Sequence, residues 1–237
     1  MKRDFSIIDL IFPEKCPFCG RMTGAQELYG EGSCKKCMEE LITYTAADEL
    51  PHEALEKVLK LYVPMRYSGK AKKAMLRYKF GQEEWLCESF SRIMHNYLES
   101  NGAYEDIDII TCVPVSPKRF AVRGYDQSRL IARKISEYSG KPFRDLLKRN
   151  DQKKAATVFT SGENFAERAS EKRFEAAEKE LSLFGLRVLL VDDIFTTGST
   201  LNECAGILLG RGAMYVNAAC MMSGRQDIYD ASLEETA

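Results

Sequence analysis

Val188-Leu-Leu-Val-Asp-Asp-Ile-Phe-Thr-Thr-Gly-Ser-Thr200 decides the fold. Four apolar residues read as a strand buried on both faces. Two carboxylates close it, a turn of small residues follows, and a helix runs over Thr200 to Arg211. Leu201, Cys204, Ala205 and Leu208 share one face of that helix, and Gly212 ends it. At such a junction the first backbone N–H groups of the helix have no intrahelical acceptor, and the helix dipole favours an anion. Gly198 lets the backbone approach closely, and Thr196, Thr197, Ser199 and Thr200 add hydroxyl donors. The segment is a phosphate cradle. It is not a Walker loop, because no Gly-Lys-Ser/Thr is present.

Asp192 and Asp193 extend that reading. Two carboxylates beside a phosphate repel it unless they face hydroxyls or a cation. The pair therefore points to a ribose 5-phosphate, with its 2- and 3-hydroxyls on the acids and Mg²⁺ nearby.

Working outward, strands alternate with helices. Leu61 to Tyr67 is β-rich, and Pro64 makes it an edge strand or a bulge. Residues 83–98 form a helix with Leu86, Phe90, Ile93, Met94 and Tyr97 on one face. Ile107 to Val113 is a buried strand. Residues 126–139 are a helix stopped by Gly140, and Ala213 to Met222 is a last strand. This alternation predicts a parallel α/β sheet flanked by helices. Residues 150–180 break the pattern: polar at first, then charged and weakly helical over 165–184, which predicts a lid. The expected organisation is a module over 1–45, a linker over 46–60 and the α/β domain over 61–237.

The module is defined by cysteines. Cys16-Pro-Phe-Cys19 and Cys34-Lys-Lys-Cys37 supply two Cys-x-x-Cys turns. Each turn aims two thiolates at one ion, and two turns complete a tetrahedral, closed, structural Zn²⁺ site. A single redox Cys-x-x-Cys would need only one of them. Cys87, Cys112, Cys204 and Cys220 stand alone in apolar segments and read as buried small side chains.

Composition sets the limits. Lys+Arg 34 against Asp+Glu 35 leaves a net charge of -1, which excludes a chain basic throughout. At 45% apolar and 29% charged residues, disorder of the whole chain is excluded. No apolar run reaches the roughly 20 residues of a membrane helix. The apolar N-terminus (Ile7 to Phe12) is broken by Asp9 and lacks a small-residue cleavage site, so it predicts a short amphipathic helix and a cytoplasmic chain. Residues 66–79 carry Arg66, Lys70, Lys72, Lys73, Arg77 and Lys79 with no acid, beside Tyr67, Tyr78 and Phe80. Cations for a backbone and aromatics for bases suit single-stranded nucleic acid. The same segment also reads as a solvated helix packed through Ala71, Met75 and Tyr78.

The thirteen residues 188–200 resemble the phosphoribosyl pyrophosphate (PRPP) fingerprint of type I phosphoribosyltransferases. Together with the four-cysteine knuckle, they make the chain similar to the ComF family of competence-associated proteins. Leu10 to Gly20, Tyr67-Ser-Gly-Lys through Lys79-Phe80, Val113-Pro-Val-Ser-Pro-Lys-Arg119 and Arg123-Gly-Tyr-Asp-Gln127 carry further marks of that family, which usually has Asn in place of Asp126. The resemblance implies a type I phosphoribosyltransferase-like sheet. It implies a pyrophosphate loop at 113–119 whose Lys118 and Arg119 would act with Asp192 and Asp193, and Mg²⁺ bound with PRPP. It also implies a role in DNA uptake: handling single strands through 66–80, with a competence helicase as partner, and recruitment to the inner face of the membrane through an uptake complex. The alternative it leaves open is an orphan enzyme transferring the phosphoribosyl group to a nitrogen nucleophile.

Overall fold

The computed structural model describes residues 15–23, 32–41, 55–150, 173–180 and 182–225. The amphipathic helix expected at the N-terminus and most of the expected linker lie outside them.

The centre is a five-stranded sheet. Its strands are β1 (Leu61–Tyr62), β2 (Met65–Arg66), β3 (Ile109–Cys112), β6 (Arg187–Phe195) and β7 (Tyr215–Ser223). The pairings between them are all parallel. β6 lies between β3 and β7. β1 and β2 both pair with β7 in one register, Leu61 opposite Ala218 and Met65 opposite Met222. They are a single edge strand interrupted at Val63-Pro64, as a residue without an N–H requires.

Side-chain alternation sorts the strand residues into two layers. Leu189, Val191, Ala219 and Met221 enter one cluster, beside helices α2 (Gly69–Phe80), α3 (Leu86–Ser100) and α5 (Gln127–Ser139). Val188, Leu190, Ala218 and Cys220 enter the other, beneath α6 (Ser199–Leu209). Both faces are covered, which explains the unbroken apolar runs Val188 to Val191 in β6 and Ala218 to Met222 in β7. Cys204 and Cys220 are fully buried, and Cys87 and Cys112 nearly so.

The knuckle is not a separate body. Its second half carries a short helix, α1 (Lys35–Leu41). Cys16, Phe18, Cys34 and Cys37 belong to the same apolar cluster as Phe90 and Ile93 of α3. The Phe18 and Phe90 rings lie 6.1 Å apart. Gly32, at φ 80°, presses so closely on α3 that a Cβ there would meet the Ser89 carbonyl oxygen at 2.4 Å. Arg77 of α2 donates to the Pro17 carbonyl at 2.8 Å, and Lys70 pairs with Glu40 at 2.7 Å.

Three local expectations change. Val113 to Arg119 is not all loop: Ser116 caps a seven-residue helix, α4 (Pro117–Arg123), through its hydroxyl and the Arg119 N–H. Pro117 stands where a helix tolerates proline best, at its first position. The stretch 165–184 is not helical where it is described: Phe174–Ala176 is a strand, β5, antiparallel to β4 (Leu147–Arg149). The rest of the expected lid, 151–172, lies outside the described residues. The last helix ends at Leu209 and is capped by Gly210, two residues before Gly212.

Candidate functional site

β6 runs in register with β7 through Asp192, opposite Cys220, to Phe195, opposite Ser223. The chain then turns through Thr196, Thr197 and Gly198 into α6. Gly198 caps the helix at φ 78°, a conformation that side chains disfavour. The Thr197 hydroxyl donates to Ser199 Oγ at 3.2 Å and accepts from its N–H at 3.5 Å. Thr196, Thr197 and Ser199 are exposed, so their hydroxyls are open to a ligand.

Beside this turn is a cleft of about 220 Å³. Asp192, Asp193, Thr200 and Arg119 line it, as the sequence leads one to expect. Lys118 does not: it is exposed on α4, outside the lining. Four cations not assigned to the site from the sequence join instead: Lys79 from α2, Arg123 from α4, Arg149 from β4 and Arg173 beside β5. The only sequence signal for Arg149 and Arg173 is that they flank the polar segment between the two strands. Arg123 was legible as part of Arg123-Gly-Tyr-Asp-Gln127, where it served equally well as a helix start.

The acids are held in different ways. Asp192 Oδ1 accepts the Ser128 hydroxyl at 3.1 Å and the Asp193 N–H at 2.8 Å. Burial, then the neighbouring Asp193 charge, push the Asp192 carboxyl up to about 7. Asp193 Oδ2 pairs with Lys79 Nζ at 2.8 Å, both side chains being nearly buried. Asp126 caps α5: its Oδ1 accepts the Arg129 N–H and its Oδ2 the Val115 N–H, both at 3.0 Å. It thereby ties the loop after β3 to the helix. Burial nevertheless raises its titration above the ordinary Asp value.

The arginines are pre-oriented. Arg123 donates to Gln127 Oε1 at 2.7 Å, and its guanidinium lies 5.0 Å from the Phe80 ring centre. Arg149 and Arg173 lie 5.1 and 5.6 Å from the ring centre of buried Phe174. Glu203 of α6 accepts from Arg173 Nε at 2.8 Å and from the Phe174 N–H at 3.1 Å. The β4–β5 ribbon is thus anchored to the helix that begins at the cradle.

The basic stretch 66–80 is less free than its sequence suggests. Lys70 pairs with Glu40, Arg77 with Glu83 and Lys79 with Asp193. Tyr78 is fully buried and its hydroxyl donates to the Gln127 carbonyl at 3.0 Å, so it cannot stack on a base. Lys72 and Lys73 are exposed, Lys72 lies 5.5 Å from the Tyr67 ring centre, and Phe80 is exposed.

In the knuckle beside α2, the four thiols of Cys16, Cys19, Cys34 and Cys37 all lie within 4.8 Å of one another. The Cys19 and Cys34 sulfurs are 3.8 Å apart. A tetrahedral ion with Zn–S bonds of about 2.3 Å separates its sulfurs by about 3.8 Å, so the donor set fits zinc with no ligand position left over. Gly20, at φ 71°, closes the first turn by donating its N–H to the Cys16 carbonyl at 2.9 Å.

A phosphoribosyl transferase domain model matches residues 121–232. The chain is 25% identical to the competence protein ComFC of Streptococcus pneumoniae over 225 residues, covering 88% of this chain and 89% of the relative. It is 27% identical to ComFC of Bacillus subtilis over 198 residues, covering 83% and 72%. A solved adenine phosphoribosyltransferase is similar over 65% of this chain and 78% of its own, at 18% identity and a TM-score of 0.39. Among the described residues no helix is long and apolar enough to cross a membrane. With a parallel sheet, a phosphoribosyl transferase match over its C-terminal half, a four-cysteine knuckle and competence proteins similar along most of its length, the chain is similar to the ComF family.

Proposed function

We propose that the cleft binds PRPP. The 5-phosphate would lie on residues 196–200, the ribose hydroxyls on Asp192 and Asp193, and Mg²⁺ would arrive with the pyrophosphate as part of the ligand. The observation that carries this reading is the charge balance around one cavity. Lys79, Arg119, Arg123, Arg149 and Arg173 face Asp126, Asp192 and Asp193 beside a helix N-terminus. The cleft stays net positive even with every acid ionised. That suits a ligand with two separated anionic groups better than a single phosphate.

If turnover occurs, the reaction is displacement of pyrophosphate from the ribose C1 by a nitrogen nucleophile. Positioning and electrostatic stabilisation would supply most of the acceleration. Asp192 and Asp193 would stabilise positive charge developing on the sugar. Arg119, Arg149 and Arg173 would receive the leaving group; Lys118 has no such part. The test is calorimetric titration of Mg²⁺-PRPP into the wild type and Asp192→Ala/Asp193→Ala, with pyrophosphate release followed in parallel. Binding lost in the double variant supports the site. Release on adding candidate nucleophiles assigns an enzyme, and tight binding without release assigns a ligand-responsive accessory protein. Wild-type protein that binds no PRPP refutes the reading.

Similar proteins are named for competence, and from this we infer a role in handling incoming single-stranded DNA, with a helicase partner. The exposed Lys72, Lys73 and Phe80 support a contact on α2. Reversing Lys72 and Lys73 to Glu should weaken single-strand binding and flatten its salt dependence. Binding that the reversal leaves unchanged removes α2 from the interface.

A further inference from the structure

Lys79 lies outside the segment that matches the phosphoribosyl transferase domain, residues 121–232, yet it reaches the acidic pair at the centre of that segment. Its neighbours on α2 face elsewhere: Lys70 and Arg77 bind the knuckle, through Glu40 and the Pro17 carbonyl. Tyr78 is locked in the core against the Gln127 carbonyl. That anchor fixes the end of α2 and delivers the next residue into the cleft. Lys79 Nζ sits 2.8 Å from Asp193 Oδ2, with 13% and 16% of the two side chains exposed.

Adjacent carboxylates facing a phosphorylated sugar need a cation to offset their mutual repulsion and their repulsion of the ligand. Here the chain supplies one. Asp192 is served separately, by the Ser128 hydroxyl and the Asp193 N–H. The ion pair also fixes one oxygen of Asp193, leaving the other to accept from a ribose hydroxyl. Resting on the ribose-phosphate reading of the cleft, we propose that Lys79 is a positioning residue of the sugar site: it holds the Asp193 carboxylate and supplies the positive charge a divalent ion would otherwise provide. The sugar-phosphate half of the ligand then binds without Mg²⁺, and the metal is needed only by the pyrophosphate half. The helix that joins the knuckle to the sheet thereby completes the site.

The probe is ribose 5-phosphate, which has no pyrophosphate to bring a metal. Full-length, metal-loaded protein is titrated calorimetrically in metal-depleted buffer, without a chelator that would strip the knuckle, and again with millimolar Mg²⁺. Wild-type affinity is expected to agree within about twofold between the two conditions, and Lys79→Met is expected to lose about tenfold or more without Mg²⁺ and to regain several-fold with it. Lys79→Arg, which keeps the charge, should restore most of the metal-free binding. A purely structural role for Lys79 would lower affinity equally in both buffers. A wild type that needs Mg²⁺ for ribose 5-phosphate overturns the proposal, as does Lys79→Met binding as tightly as wild type without metal. A wild type that binds no ribose 5-phosphate in either buffer overturns the sugar-phosphate reading itself. Should Lys79→Met fail to fold, Lys79→Met/Asp193→Asn removes both charges together. Its affinity should not respond to Mg²⁺, and a response would show that the metal acts somewhere other than Asp193.

Discussion

Asp192→Asn removes a negative charge from the floor of the cleft and keeps its shape. The amide oxygen can still accept from the Ser128 hydroxyl and the Asp193 N–H, as Asp192 Oδ1 does at 3.1 and 2.8 Å. What changes is the cost of ionisation. Burial and the Asp193 charge move this carboxyl from 3.8 to about 7. An acid whose value is raised on folding keeps a proton that the unfolded chain has released. Its contribution is fully present below pH 3.8, is lost as pH rises towards 7, and stays lost above that. The slope inside that window is about 1.4 kcal/mol per pH unit, and the two units between about pH 5 and pH 7 give a ceiling of about 3 kcal/mol. Water entering the cleft lowers this to about 2 kcal/mol. For a domain of this size that corresponds to about 4–8 °C in melting temperature. Thermal unfolding of both proteins at about pH 5 and pH 8 reads it directly. The advantage of Asp192→Asn over wild type should widen by that amount at the higher pH. Loss of metal from the knuckle thiols at low pH affects both proteins alike and cancels in the difference. A gap that is equal at the two pH values, or a wild type that gains on the variant as pH rises, refutes the argument that Asp192 is held under electrostatic stress. The same variant should lose sugar-phosphate affinity, which is the usual exchange of function for stability.

Asp126→Asn should destabilise by about 1–3 kcal/mol in urea unfolding, because one amide oxygen cannot serve both the Arg129 and Val115 N–H groups and the amide nitrogen accepts from neither. A change under about 0.5 kcal/mol would show that the two bonds are not both made. Arg149→Ala/Arg173→Ala should weaken Mg²⁺-PRPP binding by about tenfold or more yet leave ribose 5-phosphate within about twofold. Equal losses for both ligands would place the ribbon arginines at the sugar end. Cys37→Ser should abolish a stoichiometric zinc signal in elemental analysis and lower the melting temperature, whereas Cys87→Ser should leave the metal content unchanged.

The stretch 188–200 was legible because each of its signals is local. Strand burial, the acid pair, Gly198 and the helix start occupy one short run. The helix over 126–139 was equally readable: Gly140 stops it as the sequence suggests, although Asp126 proves to be its cap and not its first residue. What stayed hidden depends on distant partners. A run of six cations with no acid among them looks solvated, and Glu40 and Asp193 reach it only through the fold. Lys79 therefore looked like a surface cation and is a cleft residue. α4 was missed because two prolines in four residues suggest a stiff turn, whereas Ser116 followed by Pro117 starts a helix. β5 is three residues long, and its strand character comes from pairing with β4, more than twenty residues earlier in sequence. No local periodicity in 165–184 could have announced it.

The shared core of the knuckle and α3 bears on how such a chain fares when metal is scarce. Phe18 covers Phe90, Gly32 lies flat on the Ser89 carbonyl, and Cys16, Cys34 and Cys37 are themselves buried in that cluster. A knuckle that opens for want of an ion does not dangle from an intact domain; it uncovers Phe90 and Ile93 and frees the Pro17 anchor of α2. Metal starvation is then felt as exposed apolar surface, the feature that chaperones and proteases act on. Since α2 also holds Lys79 in the cleft, the abundance of the protein and the competence of its site would decline together, and the cell would keep few copies that are folded but idle.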